Sequence, residues 1–216
     1  ETGQHKLLTD DEVLQSQYFT NIHREDDKVT RWLKVNVRDP LEGNPHLVFA
    51  VLCFRWFNLP STGEVLLGHV IDTSDDLLTH WRLPIALHRL KALSAKVFTG
   101  AYNISNSGST KPKINRVCED YIQPVWEDRP GLLERANTWK SLQEAHIDLG
   151  RYPGMKGSGF MAAQVVADLK YTSVLRNAKD WWSWCSPGPG SKRGLNVILG
   201  RNVESPIEAA IFLQEV

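Results

Sequence analysis

Apolar residues recur at three- and four-residue intervals along nearly the whole chain, while alternation at every second position is scarce. That pattern predicts a mainly α fold. A helix start is expected at Thr9-Asp10-Asp11, whose acids suit the positive end of a helix dipole, and a second helix from Asp26 to Val37. Pro45 stands at a first-turn position ahead of a strongly apolar run, Leu47 to Phe57, read as a buried helix. Residues Asp75 to Leu93 keep helical spacing, with Pro84 kinking or dividing the run. Glycine, asparagine and proline between Thr99 and Lys113 predict the clearest long loop. Helices are expected again over Ile114–Val125, Leu132–Leu149 and Gly159–Leu175. A glycine-proline loop, Ser186–Ser191, precedes a short helix over Lys192–Leu199, and Ser205-Pro206 opens a last helix to Val216. With no internal repeat, the expected organisation is one helical domain over residues 4–216, or two tightly joined lobes.

Composition narrows the function classes. Hydrophobic residues make up 42% of the 216 and charged residues 23%, ordinary values for a chain that buries a core. The 25 basic residues balance 25 acidic ones, which argues against a polycationic nucleic-acid coat. The balance is uneven, however. Residues 140–201 carry nine Lys/Arg against four Asp/Glu, the one-sided footprint expected where phosphates are held. The cysteines Cys53, Cys118 and Cys185 lie far apart, with no CxxC and no histidine spaced to complete a metal cage. No disulfide framework, structural zinc or other cofactor is expected, and a reducing intracellular setting fits best. No signal peptide is seen, and no apolar run approaches the roughly 20 residues of a membrane span.

Candidate chemistry concentrates in the C-terminal third. Between two helical segments stands Tyr152-Pro153-Gly154-Met155-Lys156-Gly157-Ser158-Gly159, a turn in which glycines let phosphate oxygens approach backbone N–H groups. This is the layout of a helix-hairpin-helix element at about 139–171, with Gly154, Lys156, Gly157 and Gly159 as DNA-binding candidates. Lys156 stands where such elements usually carry glycine, and an ordinary glycine-rich turn is the plainer reading. Beyond the turn, Gln164 and Asp168 share one helix face, and Asp168 sits in an apolar stretch where a carboxylate is costly unless partnered or used. Asp168 and Asp180 are the catalytic candidates. The alternatives are a structural salt bridge for Asp168 and a helix cap ahead of Trp181-Trp182 for Asp180.

Two further clusters are polar. Gly188, Gly190, Ser191, Lys192 and Arg193 offer backbone amides, a hydroxyl and two cations at a helix start, enough to hold a phosphate or pyrophosphate. The spacing is not that of a P-loop. Near the N-terminus, Thr20, Asn21, Arg24 and Asp27 crowd a short stretch, and Arg55 with Asn58 closes an apolar helix. Such groups are expensive to bury singly but satisfy one another as a network. Helix capping and a structural Arg–Asp pair remain the plainer account.

Taken together, the motifs F-T-N-x-x-R-x-x-D-x-x-T (Phe19–Thr30), R-x-x-N (Arg55–Asn58), T-G-A-Y (Thr99–Tyr102), F-x-A-x-Q-x-x-x-D-L-x-Y (Phe160–Tyr171) and G-P-G-S-x-R-G-L (Gly188–Leu195) resemble one family. It is the α-glutamyl/putrescinyl thymine pyrophosphorylases, or amino acid:DNA transferases, with the closely similar helical domain of 5-hydroxymethyluracil DNA kinases. The resemblance implies a divergent helix-hairpin-helix DNA glycosylase-like fold and a role in thymine hypermodification of bacteriophage DNA. It further implies that an amine, from an amino acid or polyamine, displaces pyrophosphate from an activated 5-hydroxymethyluracil in double-stranded DNA. In that scheme Asp168 or Asp180 handles the amine proton, the Gly188–Arg193 segment holds the pyrophosphate, and Thr20, Asn21, Arg24, Asp27, Arg55, Asn58, Tyr102 and Gln164 line the base pocket. With no P-loop, the chain is not itself a complete kinase. A DNA-binding helical module without catalysis and a base-excising glycosylase are the rival expectations.

Overall fold

The run Leu47–Phe57 folds as a helix in which all 11 residues, Arg55 included, are buried. Burial all round is what its apolar sequence, interrupted only by Arg55, requires, and the other helices assemble about it. A computed structural model describes residues 9–16, 23–68, 82–102, 104, 108–156 and 159–203.

In chain order the helices are α1 (Glu12–Ser16), α2 (Lys28–Leu33), α3 (Leu47–Phe57), α4 (Pro60–Leu67), α5 (Arg82–Ala92), α6 (Lys113–Arg116), α7 (Gln123–Glu127), α8 (Arg129–Ala136), α9 (Leu142–Leu149), α10 (Phe160–Leu169) and α11 (Pro189–Leu199). A 3₁₀ turn at Arg24–Asp26 precedes α2, which continues through a π-helical stretch, Lys34–Arg38; a second one, Val117–Ile122, joins α6 to α7. No strand occurs among the described residues, so the class is mainly α.

Helix α3 lies along α10, and α9 packs beside α10 to form a helical pair. Aromatic contacts tie the layers together. Trp32 stacks on Phe54 at 5.1 Å, Trp56 on Tyr121 at 4.5 Å and Phe57 on Phe98 at 5.1 Å between ring centroids.

Several boundaries differ from the periodicity. The run Leu132–Leu149 is two helices, because Ser141 accepts a hydrogen bond from the Glu144 N–H and starts α9 afresh. Helix α10 stops at Leu169, where Thr172 turns its hydroxyl back to the Leu169 carbonyl. Pro84 is the third described residue of α5 and is buried. Helix α11 starts at Pro189 with Gly188 as N-cap, so Pro189–Ser191 belong to the helix rather than to the loop ahead of it. The expected helix over Ser205–Val216, and residues Asp75–Trp81 of another, lie outside the described residues. Among the described residues no helix is long and apolar enough to cross a membrane.

Candidate functional site

Three of the five motif segments meet at one carboxylate. Asp168, on the α10 face toward α3, is fully buried. Its Oδ2 accepts from Arg55 Nε at 2.5 Å, and its Oδ1 accepts from Arg55 Nη2 at 2.7 Å and Arg24 Nε at 3.1 Å. Burial alone would raise this carboxyl, but the Arg55 and Arg24 guanidinium groups outweigh that effect and hold it below the ordinary carboxylate range.

Local sequence places each partner. Asp27 caps α2 by accepting the Thr30 N–H at 2.8 Å, which fixes the turn carrying Arg24. The Thr30 hydroxyl then accepts from Arg55 Nη2 at 3.1 Å. Asn58, in the left-handed conformation at φ 50° that asparagine tolerates, ends α3 and accepts from Arg55 Nη1 at 2.5 Å. Arg38, unmarked by sequence reasoning, is also buried. It pairs with Glu25 and donates to the Asp168 carbonyl at 3.3 Å. Its sequence signal was slight: one arginine directly after the predicted Asp26–Val37 helix.

At its edge the network opens outward. Gln164 Oε1 accepts from Arg24 Nη1 at 2.9 Å and from the Tyr102 hydroxyl at 3.0 Å. A guanidinium can only donate, so the amide orientation is forced, and the Gln164 Nε2 donors are left without a partner among the described residues. Burial pushes the Tyr102 phenol up, keeping it a neutral donor. Phe160 packs edge-on to Tyr102 at 5.0 Å and is 38% exposed, so this corner borders solvent. The corner is a rigid set of donors beside an aromatic ring, suited to the edge of a planar polar group.

Asp180 does not join this network. Its two oxygens accept the Leu142 and Gln143 N–H groups at 2.7 and 3.0 Å, capping α9. Its carboxylate is thus engaged at a helix terminus. Asp180→Ala is expected to cost about 1 kcal/mol, the usual worth of a cap. Thermal melting should show that small loss.

In the turn between α9 and α10, Gly154 and Gly159 are tightly packed. A Cβ on Gly154 (φ +76°) would lie 2.6 Å from Trp56 Cη2 and 2.9 Å from Tyr121 Cδ1; one on Gly159 (φ +66°) would lie 2.6 Å from His146 Nε2. His146, which the sequence did not single out, bonds the Gly159 carbonyl at 3.1 Å and lies 3.5 Å from Ser186 Oγ. Through it, the segment ahead of α11 reaches the start of α10. Lys156 is exposed, as are Gly190, Ser191, Lys192 and Arg193, while Gly188 is part-buried as the N-cap of α11. Thr20, Asn21 and Gly157 lie outside the described residues.

A family model described as the helical domain of 5-hmdU DNA kinase matches residues 1–215. The chain belongs to this family. The 5-hmdU DNA kinase of Bacillus phage SP10 is 26% identical over 213 residues, which cover 91% of this chain and 33% of that protein. This chain thus spans about a third of that kinase's length. No solved structure matches. Although distant in sequence, Arg24, Arg55, Tyr102, Gln164 and Asp168 form a single hydrogen-bonded unit.

Proposed function

We propose that this chain handles 5-hydroxymethyluracil in DNA during thymine hypermodification, engaging the modified base at the Arg24–Tyr102–Gln164 corner. The observation that carries the reading is the Gln164 amide, locked through Oε1 so that its donors are preset for a carbonyl or hydroxyl oxygen. Preorganised donors beside an aromatic face suit a pyrimidine taken out of the stack. Membership of the 5-hmdU DNA kinase helical-domain family supports the choice of base. The α9–turn–α10 pair has a layout suited to a helix-hairpin-helix grip on the DNA backbone.

Anisotropy titrations with duplexes differing only in one 5-hydroxymethyluracil test this. The modified duplex should bind about tenfold more tightly than the thymine duplex, the worth of one good hydrogen bond. Gln164→Ala should bring the two affinities together. Equal affinities in the unaltered protein would remove the base assignment.

A second reading, amine transfer, rests on the start of α11. Its first-turn N–H groups have no side-chain cap, and exposed Lys192 and Arg193 follow, a setting for a leaving pyrophosphate. An amine nitrogen would bond to the exocyclic methylene as the C–O bond to pyrophosphate breaks, and the ammonium proton would pass to solvent. Asp168 is no base for that proton, since both of its oxygens are held by arginine. Nucleoside mass spectrometry after incubation with pyrophosphorylated DNA and amines decides it: an adduct establishes transfer, and its absence leaves recognition alone. Base excision loses support, because both candidate carboxylates, Asp168 and Asp180, are already engaged.

A further inference from the structure

Residues 82–116 contain seven Lys/Arg and no Asp or Glu. The fold gathers part of this run around one hollow of about 300 Å³ between α5 and α6, with Lys91, Lys96, Lys113 and His88 on its walls and Phe98 among its lining residues. No described carboxylate forms an ion pair with any of these three lysines. Lys113 Nζ lies 4.5 Å from the Phe98 ring centroid, and burial and then Arg116 hold its ammonium below the ordinary lysine range. His88 Nε2 is fixed by Asn115 Oδ1 at 2.7 Å. Arg82 and Arg89 belong to a neighbouring hollow that contains Glu64, and Lys111 is paired with Glu119 and Asp120, so these cations are set aside.

One turn along α6, Arg116 is only 1% exposed. Among the described residues its Nε and Nη1 have no hydrogen-bond partner, and its Nη2 reaches only the Ile104 carbonyl at 3.5 Å. A buried guanidinium without a counter-charge is costly, and it adds positive potential beneath the lysines. An ordinary solvated charged face would intersperse acids and leave no unmatched cation below it. Here every charged residue that lines the hollow is a cation, with the carboxylate of Glu119 set back behind Asn115, and the surface is concave.

We infer that the hollow of Lys91, Lys96 and Lys113 is a track for the phosphate backbone of a nucleic acid. The position suits the proposed base site, on whose DNA substrate this inference rests. Phe98 stacks on Phe57, the residue before Asn58, and Tyr102 of the base corner follows four residues later in the same segment. A strand lying along the track would enter next to the Arg55–Asn58 end of the network. The track reads phosphate and not sequence, so it binds modified and unmodified DNA alike.

Salt titrations of anisotropy binding, on thymine and 5-hydroxymethyluracil duplexes of about 20 base pairs, separate the two ideas. Each phosphate contact adds roughly 0.9 to the slope of log affinity against log salt, about eightfold at 0.1 M relative to 1 M. The Lys91→Ala/Lys96→Ala/Lys113→Ala variant should lose about 2.7 of slope and roughly 500-fold in affinity at 0.1 M salt, equally on both duplexes. Should packing on Phe98 make the triple variant unstable, Lys91→Ala/Lys96→Ala should lose about 1.8 of slope. An unchanged slope overturns the track, and so does the absence of DNA binding in the unaltered protein. A lowered slope with no preference for the modified duplex upholds the track while removing the base assignment.

Discussion

Asp168→Asn is expected to destabilise the fold by about 3–5 kcal/mol, the cost of removing one partner from a buried ion pair. The change is nearly isosteric, so the loss is electrostatic. It leaves Arg55, 2% exposed, and Arg24 without the anion that both were folded around. For a chain of this length each kcal/mol lowers the melting temperature by about 2–4 °C, which puts the shift on the order of 10 °C. A carboxylate serving only as a catalytic base would show the opposite pattern, with activity lost and stability kept or raised. The pH dependence follows from the depressed folded-state carboxyl. Its stabilisation is complete above the unfolded carboxylate value of about 3.9 and disappears as the pH falls from there toward the folded value. Asp168→Asn should therefore be less stable at neutral pH and lose less further stability on acidification. Denaturant titrations from neutral to acid pH measure both effects. Equal stability of the two proteins at neutral pH would show that the arginines do not depend on Asp168.

Gly154→Ala should cost about 3 kcal/mol, from two sources that add. At φ +76° an L-residue costs roughly 1–2 kcal/mol. The new methyl would also meet the stacked Trp56–Tyr121 pair, whose rings are fixed by the core, and overpacking of that kind costs about 1–3 kcal/mol. The variant should melt roughly 10 °C lower. The turn joining α9 to α10 should also loosen, measurable as faster amide exchange at Tyr152 and Met155. An unchanged melting temperature would mean that the turn is not seated on the aromatic stack.

Both predictions show what the sequence made legible. The buried helix Leu47–Phe57 was readable because a run of that length with Arg55 as its one charged residue has no polar face to offer. The polar motif residues were readable as a set, since an arginine or aspartate inside apolar periodicity needs a partner. Which partner it takes was not readable. Asp168 lies 113 residues from Arg55 and 144 from Arg24, and only packing of α10 against α3 and the Arg24 turn joins them. Asp180 drew attention by its place beyond the glycine-rich turn, and its capping of α9 was not readable because the N–H groups it accepts from lie 38 and 37 residues earlier. Glycine and proline dominate Pro189–Ser191 and so suggest a loop, although proline fits the first helical position without cost and these residues open α11. The acid-free run 82–116 was countable from the sequence. Its meaning came only when the fold set three of its lysines around one hollow and buried Arg116 beneath them.

The central claim is that the Arg24–Tyr102–Gln164 corner receives a modified pyrimidine. A crystal structure of the protein with an oligonucleotide carrying a single 5-hydroxymethyluracil tests it most directly. The account predicts that base outside the helical stack, with an oxygen within hydrogen-bond reach of Gln164 Nε2 and the ring beside Tyr102 or Phe160. A base still stacked in the duplex, or seated elsewhere on the protein with this corner untouched, would contradict it.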